Sequence, residues 1–301
     1  MADEAADRRG LAFGVGAYVL WGLLPLYFRL LGPIDAGEIV AQRVLWSALL
    51  VAVLVVAVGR GSQLRAAFAN RRALANLVAS AAFIAINWLV YVWAVLHGEV
   101  LAASLAYFLN PLLNVLLGVV LLGERMNRTQ AAAVALAGAG VALFALGSSW
   151  IALGISLSLA ISFALYGLIR KTVSVGALEG LMVETTLLAP IALGYLLFLS
   201  GKQPLAFDQG AGMAWLLVLA GAVTTAPLLL FAAAARRLRL ATMGMLQFLA
   251  PSLQFLLAIL VFGETLTPVR MGCFALIWAG LAVYIIGGRK PGRREAAPDR
   301  A

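Results

Sequence analysis

From residue 11 to residue 287 the chain is a succession of apolar runs, each about 20 residues long, divided by short polar stretches. That is the length a helix needs to cross the hydrocarbon core of a bilayer. In hydrocarbon every backbone N–H and C=O must find a partner within the protein, which leaves helices or a closed barrel. The runs are continuous rather than alternating with a period of two, so they read as helices. Ten fit, at 11–31, 38–58, 73–96, 100–122, 131–147, 151–169, 178–199, 213–234, 241–262 and 269–287. Only 12% of the residues are charged, against roughly 25% in a soluble domain, so no water-facing surface can be assembled from them. The first run follows Arg8 and Arg9 as a signal peptide would. It is too long for a signal peptide's apolar region and shows no clear cleavage site, so it reads as a retained helix.

The net charge of +9 is a matter of orientation rather than of nucleic-acid binding, because the cations lie in clusters between the runs. With the N-terminus in the cytoplasm, 18 of the 22 Lys and Arg fall on the inner side: Arg8, Arg9, Arg60, Arg65, Arg71, Arg72, Arg125, Arg128, Arg170, Lys171, Arg236, Arg237, Arg239 and the tail cations from Arg289 to Arg300. The outer side receives Arg29, Lys202 and Arg270, and Arg43 alone stands inside a run. This bias predicts an even number of spans with both termini in the cytoplasm, in the cytoplasmic membrane. Cys273 and His97 are the only residues of their kinds, which excludes an intrachain disulfide and a Cys/His zinc site. No GxxxxGK[ST] loop is present for nucleotide phosphates. No cofactor is expected.

Shifted by 140 residues, "FLNPLLNVLLGVVLLGER" (108–125) falls on "FLAPSLQFLLAILVFGET" (248–265) without a gap, and 13 of the 35 positions from Phe108 to Ala142 are identical. The shared residues include Pro111/Pro251, Gly123/Gly263, Glu124/Glu264, Ala135/Ala275 and Ala139/Ala279. With a slip of one or two residues, Glu38 meets Glu179 and Arg43 meets Glu184. Composition alone makes leucine-rich helices look alike, but it does not reproduce a proline and a Gly-Glu pair at fixed spacing. Five spans in each half make the second half enter from the opposite side. The expected fold is therefore an all-α membrane protein of ten helices in two inverted-topology repeats, with a site near the midplane between them. The expected divisions are a cytoplasmic N-terminus (1–10), a first repeat (11–147), a second repeat (148–287) and a basic cytoplasmic tail (288–301).

The runs "GAYVLWGLLPLYFRLL", "EIVAQRVLWS", "NWLVYVWAV", "SLAYFLNPLLNVLLGVVLLGER", "SFALYGLIRK" and "QFLAPSLQFLLA" followed by "LVFGE" resemble the RarD proteins, in the EamA group of the drug/metabolite transporter superfamily. The resemblance extends from about residue 11 to about residue 287. It implies ten helices in two inverted halves and a small-metabolite permease rather than an enzyme. The family takes its name from a chloramphenicol phenotype, which does not identify a physiological substrate.

The polar residues inside the runs are the candidates for solute contact. Arg43 lies about 7 Å below the outer end of its helix, measured from Glu38 at 1.5 Å per residue. Snorkelling to the headgroups and a place in the solute path both fit that depth. Glu184 stands about as far from the inner end, too far in depth from Arg43 for a direct ion pair, and a carboxyl held away from water is a candidate proton carrier. Pro111 and Pro251 kink their helices and free the carbonyls of Tyr107 and Gln247, with Asn110, Asn114, Gln247 and Gln254 around them. Interhelical bonding or a lined cavity would account for these amides. Asn87 and Tyr91 share a helix face, joined by Trp21, Tyr27 and Tyr166 from the first helix of each half. Trp88 or Trp93 reads as an interfacial belt residue. Gly123-Glu124 and Gly263-Glu264 read as structural helix ends, and Ala135/Ala139 and Ala275/Ala279 as close-packing positions or a homodimer seam.

The function expected from all this is secondary transport of a small polar or amphipathic solute by alternating access. The rivals are a membrane-embedded enzyme on a lipid-linked substrate, for which no acid/base pair or metal ligand set is evident within a span, and a solute sensor that does not transport.

Overall fold

The computed structural model describes residues 2–32, 34–96, 100–146 and 149–261, with short pieces at 271–272, 275–276, 278–280 and 282–283. Its elements are α1 (Ala2–Leu31), α2 (Ala36–Ala57), α3 (Gly61–Ala69), α4 (Arg71–Leu96), α5 (Val100–Leu122), α6 (Arg128–Ala145), α7 (Trp150–Thr172), α8 (Ala177–Ser200), a 3-10 turn (Ala206–Gln209), α9 (Ala211–Ala235), α10 (Leu240–Gln247) and α11 (Leu249–Leu260). No strand occurs among the described residues. Six of these helices are long and apolar enough to cross a membrane, covering 8–28, 37–57, 71–91, 150–172, 177–200 and 211–235, and 112–122 forms a shorter apolar helix. The protein is a multi-pass helical membrane protein.

Local chemistry sets several helix ends. The Asp35 carboxylate accepts the Glu38 N–H at 2.9 Å and starts α2. At α6, Asn127 and Gln130 exchange side-chain bonds with each other's backbone N–H at 2.8 and 3.1 Å, a reciprocal cap. Ser149 accepts the Ala152 N–H at 3.1 Å to begin α7. α5 stops at Gly123, whose φ of +64° is comfortable only without a Cβ.

Two expected spans need comment. The run 241–262 is two helices, broken at Phe248, and Pro251 lies in the first turn of the second. Proline is tolerated there because a first-turn N–H has no helical partner to lose. Pro251 thus starts a helix where a kink within one helix was expected. The run 269–287 lies largely outside the described residues, as do Gly263, Glu264 and the basic tail. The short α3, on the connection after α2, was not anticipated.

α1 packs on α9 and α11, α7 on α4 and α5, α2 on α8 and α9, α8 on α4, and α5 on α10. The centre is aromatic. Tyr166 stacks on Phe231 with ring centroids 5.9 Å apart, while Trp21 lies 5.6 Å from Phe231 and 5.7 Å from Phe163. α2 and α9 come together at Gly221, where a Cβ would fall 2.6 Å from the Trp46 carbonyl carbon. Ser47 donates to the Gly221 carbonyl at 3.2 Å at the same crossing. Ala135, Ala139, Ala275 and Ala279 face outward; the close approach in that region instead brings Ala133 and Ala137 against Gly280.

Candidate solute site

Arg43, on α2, does not run back toward its own helix end. Its Nε donates to Thr224 Oγ1 at 2.7 Å, and Thr224 lies about halfway along α9. The guanidinium carbon stands 5.6 Å from the Trp88 ring and 5.8 Å from the Phe28 ring. Of Trp88 and Trp93, either of which fitted an interfacial belt, Trp88 lies against the cation, whereas Trp93 is 46% exposed. Helix rotation decides between such neighbours, and a uniformly apolar helix does not encode its rotation in hydropathy. The hydroxyls of Tyr27, Tyr91 and Tyr107 lie in the electrostatic surroundings of Arg43. Tyr107 donates to Tyr91, and Tyr27 donates to the Leu216 carbonyl at 2.9 Å.

Glu184, on α8, is 1% exposed and accepts from Ser80 Oγ at 2.6 Å. Its ionic partner is Arg170, at 3.5 Å and also 1% exposed. Sequence reasoning counted Arg170 among the inner cations that only orient the chain; the structure buries it as half of an internal ion pair. Its Nη2 also donates to the Ala177 carbonyl at 2.9 Å. Gly180 makes the room: a Cβ there would lie 1.9 Å from Arg170 Nη1. The signal was in the sequence, since only four residues separate α7 from α8 and a tight helical hairpin sets 170 beside the first turns of α8.

Between the two charged sites lies a cavity of about 10 Å³, room for about one water. Ser47, Trp88, Tyr166, Glu184, Thr185 and Thr224 are among its walls, so one partner of each cation faces the same space. Several of the remaining candidates make hydrogen bonds between helices. Asn87 donates to the Leu159 carbonyl at 2.8 Å and to Ser162 Oγ at 3.1 Å. Asn114 donates to Gln247 Oε1 at 2.7 Å. Gln254 donates at 3.2 Å to the Trp21 carbonyl, which Pro25 leaves without its helical donor. Asn110 is buried, and the Oδ1 atoms of Asn110 and Asn114 have no hydrogen-bond partner among the described residues. Pro111 lies in α5, but its side chain is outside the described residues.

One end of the bundle is closed by charge. The Glu124 carboxylate accepts the N–H groups of Leu240 and Ala241 at 2.7 and 3.0 Å, capping α10 from beyond the end of α5. Lys171 and Arg239 stand 3.9 Å from it on either side. Arg60 pairs with Glu179 at 3.4 Å, and Arg236 donates to the Val175 carbonyl. Glu124 therefore does more than end α5: it ties α5 to α7 and α10.

A bundle of bilayer-length helices with charged and amide side chains turned onto its own interior is the construction of a polytopic membrane protein with a functional interior, not of a lipid anchor. The comparisons with known proteins narrow this. The sequence model of the EamA-like transporter family matches residues 8–146. An uncharacterized transporter of Pseudomonas aeruginosa is 49% identical over 97% of this chain and 98% of its own. The protein RarD of Escherichia coli is 42% identical over 94% and 96% of the two chains. A crystal structure 21% identical in sequence superposes with a TM-score of 0.72, covering 94% of this chain and 99% of that one, which speaks for the fold alone. The chain belongs to the RarD group of the EamA-like transporters, within the drug/metabolite transporter superfamily. Family and relatives point to a transporter rather than to an enzyme.

Proposed function

We propose that the protein is a secondary transporter of the cytoplasmic membrane that moves a small polar or amphipathic solute by alternating access between two five-helix halves of inverted topology. The helix pairing supports the two-half reading. Exchange α1, α2, α4 and α5 with α7, α8, α9 and α10–α11, and α1 on α9 becomes α7 on α4; α1 on α11 becomes α7 on α5; α2 on α9 becomes α8 on α4. The contacts α2 on α8 and α5 on α10 map onto themselves. The observation that carries the function is the pair of charged sites at the seam of these halves, Arg43 with Thr224 and Glu184 with Ser80 and Arg170, whose partners Thr224 and Glu184 border one small cavity.

In this reading Arg43, Tyr27, Tyr91, Tyr107 and Trp21 form the outer part of the path, with Asn87, Asn110, Asn114, Tyr166, Gln247 and Gln254 deeper. The basic end faces the cytoplasm, in keeping with the distribution of its cations. There the ties of Glu124, Glu179 and Arg170 across the bundle hold the path closed. Opening inward requires the Arg170–Glu184 pair to part. A proton on Glu184 removes the attraction and a solute can replace it, which makes this carboxyl the place for proton coupling.

The test is flux into proteoliposomes with a panel of amino acids, small metabolites and amphenicols, for the wild type and for Glu184→Gln. Saturable flux of at least one compound, whose pH dependence disappears in Glu184→Gln, is the expected result. Binding without flux across the panel would overturn transport in favour of sensing, and chemical conversion of a compound would overturn it in favour of an enzyme.

A further inference from the structure

Two described arginines lie within the bundle, Arg170 fully buried and Arg43 partly so, and they are treated differently. Arg170 has a carboxylate, Glu184, at 3.5 Å. Arg43 has none. The other described carboxylates of the outer and middle bundle lie elsewhere, most of them with partners of their own. Asp35 accepts from the Glu38 N–H and from the Tyr195 hydroxyl at 2.9 Å each, and Glu38 accepts the Ala206 N–H at 2.7 Å. Glu184 is held by Arg170 and Ser80. Asp208 lies in the turn before α9, and Glu124 and Glu179 belong to the basic end. The ionisable neighbours of Arg43 are phenols, two of which already donate elsewhere.

Nor is the guanidinium saturated with hydrogen bonds. Nε–H is spent on Thr224, and among the described residues neither Nη atom has a hydrogen-bond partner. That leaves the Nη1/Nη2 edge, two parallel donors at the spacing of a carboxylate's oxygens. Thr224 fixes the plane of the group from one side, while the Phe28 and Trp88 rings flank it. A charge within a membrane span and without a counter-ion is stable only if water or an arriving anion supplies what the protein withholds.

We infer that Arg43 is the anion-binding residue of this transporter and that its solute is a small organic carboxylate with an apolar or aromatic body. The carboxylate takes the free edge of the guanidinium, and the body lies among Phe28, Trp88 and Tyr91. The inference rests on the transport reading for its setting, but it is a statement about binding and stands or falls on a binding measurement.

Three compounds of one shape serve as probes: 3-phenylpropionate, 3-phenylpropan-1-ol and 3-phenylpropylamine. Binding to the purified full chain is followed by tryptophan fluorescence, and flux by uptake into proteoliposomes. The carboxylate should bind at least about tenfold more tightly than the alcohol, equivalent to about 1.4 kcal/mol, and the amine should not bind. Arg43→Gln should abolish the preference. Arg43→Lys should keep the charge yet lose about tenfold or more, because an ammonium offers no planar fork. Equal affinity for the alcohol, or a carboxylate preference that survives Arg43→Gln, would overturn the inference and leave Arg43 a hydrated cation. Absence of carboxylate binding to the wild type would overturn it too. Carboxylate binding that depends on Arg43, without flux of any probe, would keep the anion site and count against transport; flux of the alcohol alone would do the reverse.

Discussion

Glu184→Gln gives the sharpest energetic test of the internal ion pair. Both members are 1% exposed, so neither charge is offset by bulk solvent. The substitution leaves Ser80 an amide oxygen in place of the carboxylate, so the 2.6 Å bond to Ser80 is largely kept. What is lost is the countercharge of Arg170, whose Nε and Nη1 have no hydrogen-bond partner among the described residues. Breaking a buried pair by removing one member costs about 3–5 kcal/mol, chiefly because the other charge is stranded. Replacing both members with uncharged groups of similar volume is often close to neutral. Arg170→Met in the Glu184→Gln background should therefore recover most of the loss. The assay is reversible unfolding of the purified chain in mixed micelles by titration with a denaturing detergent, read by tryptophan fluorescence, with the four proteins forming a double-mutant cycle. If Glu184→Gln unfolds within about 0.5 kcal/mol of wild type, or if the double variant is no better than the single, the pair does not carry the burden assigned to it.

At the α2/α9 crossing, Gly221→Ala forces a Cβ to within 2.6 Å of the Trp46 backbone and should cost about 1–3 kcal/mol in the same unfolding assay. Gly154→Ala, where a Cβ meets nothing within 4 Å, should be neutral or slightly stabilising. Glu124→Gln weakens the cap on α10 and removes the charge facing Lys171 and Arg239; a loss of about 0.5–2 kcal/mol is expected, with faster solute leakage through proteoliposomes. Pro251→Ala allows α10 and α11 to join through Phe248 and should lower flux more than folded yield; normal flux would show that the break is incidental. A cytoplasmic reporter fused after Arg294 should be active and a periplasmic one silent, and the opposite pattern would refute the orientation drawn from the cations.

Much of the architecture was legible in one dimension because a bilayer imposes a length. A run such as 38–58 or 213–234 has one stable fate in hydrocarbon, and α2 and α9 fall where the runs lie. Arg43 and Glu184 were equally visible, since a charge inside such a run is rare enough to demand a purpose. Pro251 was visible as a disturbance, but whether it kinks one helix or starts another depends on how the chain before it packs.

The partners were not legible. In a water-soluble helix the polar face reveals which side is outward, and the side toward the core follows. Here lipid and core are both apolar, so a helix such as α9 shows its neighbours and the bilayer much the same surface. Rotation, tilt and the closeness permitted by Gly180 and Gly221 then decide the contacts. They turned Trp88 inward, set Ala135 and Ala139 outward, gave Glu184 to Arg170, and left Arg43 with Thr224 and an open edge. The sequence alone determined that the chain crosses the membrane as helices and that it carries Arg43 and Glu184 inside them. Only the tertiary structure decided which of those charges has its counter-ion within the protein, because that depends on side chains meeting across helices whose apolar surfaces do not encode their orientation.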